Sequence, residues 1–157
     1  MAKVRKGPTP FYALLDVFPL LGIPVLIFNF IALTHIAGGP DEFAAWLEAP
    51  LFTVAAFSGD NWNFTPSDLF VILGLGFLFV EIIKSTRTDA ISLVNHGIAA
   101  LAFVIFLLEF LVMRGFTNST FFILMMMQLI DVIAGYTITV VGAKRDFGSS
   151  GGIAGTN

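Results

Sequence analysis

Asp131 is the residue of this chain whose type and place most invite a chemical reading. It sits near the middle of an apolar run from about 119 to 143. A carboxyl at mid-bilayer depth costs about 2.5–3.5 kcal/mol on insertion scales. Gln128 lies one turn before it, and Gly135 and Gly142 continue the same helix stripe. So small and polar a stripe faces protein or water, not lipid. Two readings are open. Asp131 is a proton-titrating or ion-coordinating group, or it belongs to a hydrogen-bonded pair that ties its helix to a neighbour or to another subunit. The second is the expected one, because intramembrane polar residues often serve as such links.

Other polar residues fall at other depths. Glu109 lies near the end of an earlier run, on a heptad-spaced line with Asn95 and Ala102, and is expected to pair with Arg114. Glu81 and Lys84 stand one turn apart at the end of another run and read as an ordinary interfacial pair. Asp16, one turn before Pro19, is placed to bond the backbone of a broken turn. Glu109, Gln128, Asp131, Asn95 and His96 together form the ladder of depths that a proton path needs. The same ladder arises when each of four helices buries a polar residue or two.

The two histidines do not make a metal pair. His35 lies near the far end of its run and His96 near the start of its own. At about 1.5 Å per residue they differ in depth by roughly 25 Å, so one monomer cannot bring both to a single haem. The chain has no Cys, no His-x-x-x-His and no Glu-x-x-His, so the ligand sets of zinc and carboxylate di-iron sites are missing. A single histidine, His96 beside Gly97, could ligate a haem or chlorin across a subunit interface. A hydrogen-bonded histidine is the expected reading. No cofactor and no metal is implied. Nucleophile elbows and phosphate loops do not occur, so no enzymatic activity is expected.

The elements that must position these residues are membrane helices. Of 157 residues, 57 % are hydrophobic and 12 % charged, and mean hydropathy is +0.90. A soluble domain has about 45–50 % apolar and about 25 % charged residues. Eight basic against eleven acidic residues leave no basic excess for nucleic acid. The absence of cysteine excludes a disulfide scaffold.

The fold expected is an all-α integral membrane four-helix bundle, with helices over about 11–37, 66–84, 90–113 and 119–143. Residues 1–147 form a single domain and 148–157 a flexible tail. The first run, 27 residues from Phe11 to Ala37, exceeds the about 7–15 of a signal-peptide core. Pro19, Gly22 and Pro24 predict a kink or break within it. Asp41 to Ala49 reads as a short amphipathic helix carrying Trp46, at home among headgroups. Leu51 to Phe57 is apolar and partly β-like, and Ser58-Gly59-Asp60-Asn61 is a turn signal; the stretch reads as a re-entrant or interfacial plug. Thr65-Pro66-Ser67-Asp68 is a helix start with a capping box. Thr88-Asp89, and Asn118 or Ser119, supply the later caps.

Orientation follows from charge. Lys3, Arg5, Lys6, Lys84, Arg87, Lys144 and Arg145 fall on one side and Arg114 alone on the other, a split of seven to one. The positive side is the cytoplasm. Both termini are then cytoplasmic. The connection from Asp41 to Asp68, with five acids and no Lys or Arg, is outside. Asn63-Phe64-Thr65 and Asn118-Ser119-Thr120 match glycosylation sequons there, a three-residue pattern of low specificity. Gly74, Gly76, Gly97, Ala100, Ala102, Ala134 and Gly135 permit close helix contacts. The 18 Phe residues read as lipid-facing or interlocking surface.

The stretches 79–88 (FVEIIKSTRT) and 115–122 (GFTNSTFF), with Asp131-Val132-Ile133-Ala134-Gly135, resemble small four-span inner-membrane proteins of proteobacteria over about residues 65–147. That group has no known activity to carry over, so the resemblance implies a bacterial cytoplasmic membrane and assigns no functional residue. The expected function is that of an accessory or scaffold subunit in a homo-oligomer or larger membrane complex, in contact with lipid and with other membrane subunits. Trp46, Gly97 and Gly135 are its expected interface residues. The alternative is a small proton- or cation-conducting channel or transporter centred on Asp131.

Overall fold

The computed structural model describes residues 17–86 and 90–150. Residues 11–16 of the first run, Lys3, Arg5, Lys6, Arg87, the Thr88-Asp89 cap and residues 151–157 lie outside them. The described chain is mostly helical. It runs α1 (Gly22–His35), a short 3-10 turn (Ile36–Gly38), α2 (Pro40–Glu48), β1 (Phe52–Ala55), β2 (Asn61–Phe64), α3 (Pro66–Ser85), α4 (Ala90–Val112) and α5 (Ser119–Ser150). Three of these are long and apolar enough to cross a membrane: α3, residues Leu93–Val112 of α4, and residues Ser119–Gly142 of α5, with mean hydropathy near 2 in each.

The break expected around Pro19 is present. Val17 to Leu21 do not join α1. Instead Gly22 N–H bonds Pro19 O at 2.9 Å and Ile23 N–H bonds Leu20 O at 3.0 Å, a turn that feeds the helix. Pro24 falls in the first turn of α1, where its missing N–H leaves no gap in the helix ladder. The 14-residue α1 is about 21 Å long, short of the ~30 Å hydrocarbon core.

Gly39, with φ 117°, takes a backbone region open to glycine and turns the chain into α2. Among the described residues the one departure from an all-α chain is the hairpin, antiparallel with Phe52 opposite Phe64 and Val54 opposite Trp62. Its turn needs Gly59 at φ 93°. α3 starts as expected. Thr65 Oγ1 accepts from Asp68 N–H at 3.3 Å, and Asp68 Oδ2 accepts from Thr65 N–H at 2.9 Å. Asn118 caps α5, its Oδ1 accepting from Phe121 N–H at 2.9 Å. α5 continues to Ser150, past the expected end near Ala143. A single Gly148 costs a helix only about 1 kcal/mol, so it does not force a stop.

α5 packs against both α3 and α4, α1 rests on α3 and α5, and α2 folds back over α1 and α3. The core at the Arg114 end is aromatic. The Phe28 ring meets Phe43, Phe70 and Phe121 at 5.2 Å and Phe116 at 5.9 Å between centroids, mostly edge to face. Those rings come from α1, α2, α3, α5 and the α4–α5 turn. Much of the aromatic content therefore interlocks elements instead of facing lipid.

Candidate functional site

The break before α1 strips two backbone groups of helical partners, the carbonyl of Phe18 and the N–H of Leu20. Inside an apolar bundle an unmet backbone group costs several kcal/mol. Both are met from α3. Lys84 Nζ donates to Phe18 O at 2.8 Å, and Glu81 Oε1 accepts from Leu20 N–H. Glu81 and Lys84 are also paired with each other at 3.1 Å, and Ser85 Oγ donates to the Glu81 carbonyl at 2.8 Å. Glu81 is 1 % exposed. The expected i, i+3 pair therefore exists at the end of α3, and it also reaches the turn before α1. Glu81 is buried where it meets the Leu20 N–H that the break leaves without a helical partner. Asp16 lies outside the described residues.

A second buried group lies next to it. Gln128, Asp131, Asn95 and His96 are all buried. Gln128 Nε2 donates to Asp131 Oδ2 at 3.2 Å and to the α4 carbonyl of Ala99 at 3.4 Å. The His96 ring lies flush on Gly135, where a Cβ would collide with Nδ1 and Cε1. Small size at 135 is thus what lets α4 and α5 close around the ring. Glu81 and Lys84 act electrostatically on both His96 and Asp131. The structure therefore gathers Glu81, Lys84, His96, Gln128, Asp131 and Gly135 into one polar region of α3, α4 and α5. Two oxygens in it, Asp131 Oδ1 and Gln128 Oε1, are buried without a hydrogen-bond donor.

The remaining expected residues lie apart. Glu109 accepts from Asn29 Nδ2 of α1 at 3.1 Å, and Asn29 also donates to Val25 O at 3.1 Å. Among the described residues the ion pair is Lys84–Glu81, so the expected Glu109–Arg114 pairing is corrected. Five residues of sequence separation and a glycine turn at 115 do not outweigh an amide facing Glu109 from α1. Trp46 is half-buried on α2, 5.1 Å from the His35 ring and stacked near Phe43. Gly97 is exposed with nothing near its Cα, whereas Gly135 is enclosed.

Chemically, the region can hold charge and hydrogen bonds inside an apolar body. Among the described residues no three His, Cys, Asp or Glu side chains converge to hold a metal ion. Sequence reasoning undervalued Glu81 and did not single out Asn29 at all. The usable signal for Glu81 was a carboxylate inside the apolar run of α3 in a chain whose first span is broken by proline. No protein-family model, no curated protein and no solved structure matches the chain.

Proposed function

We propose that the chain is a non-enzymatic integral membrane protein, an accessory or scaffold subunit of a homo-oligomer or larger complex in a bacterial cytoplasmic membrane. In this reading the first apolar run, which contains α1, is the fourth span, and both termini are cytoplasmic. The seven-to-one division of basic residues supports that orientation.

The observation that carries the reading is where the polar groups are directed. Glu81 and Lys84 close the α1 break, Asn29 and Glu109 join α1 to α4, and Gln128 joins α5 to α4. Each works as an internal tie. The outward surface is apolar and includes Gly76 on α3 and Gly97 on α4, both open, where another helix can approach closely. Purification of the tagged chain in mild detergent, followed by mass spectrometry, tests this. A partner, or a second copy, at fixed stoichiometry is the expected result. A chain that purifies alone as a monomer at every detergent concentration contradicts it.

A proton- or cation-conducting role centred on Asp131 is the second reading. It is favoured by one observation, the unmet Asp131 Oδ1 and Gln128 Oε1 within the buried polar region.

A further inference from the structure

The β-hairpin between α2 and α3 has two unlike faces. Directly opposed residues share a face, so Phe52, Phe64, Val54 and Trp62 form one side and Thr53, Asn63, Ala55 and Asn61 the other. Side-chain contacts agree. Phe52 stacks on Phe64 at 4.7 Å, Trp62 meets Phe64 edge-on at 5.6 Å, and Thr53 Oγ1 donates to Asn63 Oδ1 at 2.7 Å. Yet the apolar side is uncovered. Phe52 and Trp62 are each 53 % exposed, Val54 is 45 % exposed, and Phe57 in the turn is fully exposed. An apolar aromatic face of this kind is not left to water without an occupant.

We propose that this occupant is the headgroup–acyl boundary of the bilayer, with the Phe52/Val54/Trp62 face and the Phe57 tip set into the leaflet and the Thr53/Asn63 face toward water. Leu51 N–H bonds Phe64 O at 2.7 Å and closes the hairpin base. The next residue, Thr65, is the cap of α3. That helix has 20 residues and so is about 30 Å long, the thickness of the hydrocarbon core. Its first turn is therefore fixed at the boundary, and the hairpin base with it. Ser67 Oγ donates to Leu47 O at 3.0 Å and holds the end of α2 at the same level. From that base the hairpin extends about 20 Å. Its residues 51–64 include Asp60 as their sole charge. Trp and Phe are the side chains that favour this boundary. The inference rests on the proposal that α3 spans a membrane.

The chain contains no cysteine, so single spin labels can be placed at will. Thr53→Cys, Val54→Cys, Phe57→Cys and Asn63→Cys are surface changes that leave the core untouched. Leu75→Cys, at a half-exposed site in the middle of α3, reports on the span itself. The full-length labelled chains are reconstituted into phosphatidylcholine/phosphatidylglycerol vesicles. Collision with oxygen, which concentrates in lipid, is compared with collision with a water-soluble nickel chelate. The oxygen-to-nickel ratio at 54 and 57 is expected to be several-fold higher than at 53 and 63, and to approach the ratio at 75. Nickel access at 54 and 57 equal to that at 53 overturns the inference. So does shielding of 54 and 57 from both reagents, which would mean a protein partner covers the face. Nickel access at 75 would instead overturn the membrane-spanning reading of α3 on which the inference stands.

Discussion

Glu81→Ala is expected to destabilise the folded chain by about 3–5 kcal/mol, the range for breaking a buried ion pair by removing one partner. Three losses coincide. The Leu20 N–H loses its acceptor, Lys84 loses its counter-charge, and a cavity opens beneath the Pro19 turn. Lys84 keeps its bond to the Phe18 carbonyl. Glu81→Gln keeps an oxygen acceptor for Leu20 and should lose less. Glu81→Gln combined with Lys84→Met should be less harmful than the sum of the two single changes, because both act on the same ion pair. Unfolding titrations of the purified chain in mixed micelles, read by circular dichroism, give the order. Equal stability of the wild type and Glu81→Ala would show that Glu81 does not hold the break.

Phe28→Ala should produce a comparable loss, about 3–5 kcal/mol for a buried Phe truncated to Ala. Its ring is fully buried and touches four others. These come from every described element at the Arg114 end except the hairpin and α4 itself. Truncation removes edge-to-face contacts and leaves a void that α1 and α2 cannot both close. Phe30→Ala, two residues on but 71 % exposed, supplies the contrast and should change stability little. The same titration measures both. A Phe28→Ala variant no weaker than Phe30→Ala would contradict the described core.

Glu81 and Lys84 hold the turn before α1 and Phe28 anchors the middle of α1, and the two contacts differ in how far residue order reveals them. The Pro19–Pro24 break, the Thr65/Asp68 capping box and the turn around Gly59 are local, so spacing alone reveals them. The Gln128–Asp131 hydrogen bond follows from helical spacing too. Glu81 does not. Its spacing to Lys84 announces a pair, but the acceptor role depends on Leu20, 61 positions away. Glu109 shows the same limit: Arg114 is near in the chain, Asn29 is near in space. The Phe28 cluster was illegible for a related reason. A phenylalanine facing lipid and one facing four other rings have the same neighbours in an apolar run. The hairpin was visible as a turn between apolar stretches, but its two-faced pairing appears only once the register is known.

In the proposed function the polar side chains within the helices tie the bundle together and do not move ions. Proton flux into liposomes carrying the purified chain, measured with an internal pH dye for the wild type and Asp131→Asn, tests it most directly. An amide still donates and accepts hydrogen bonds but does not titrate. The prediction is that neither protein raises flux above that of protein-free liposomes and that Asp131→Asn remains folded. Flux in the wild type that disappears in a well-folded Asp131→Asn variant would contradict the account and assign the buried region to proton transfer.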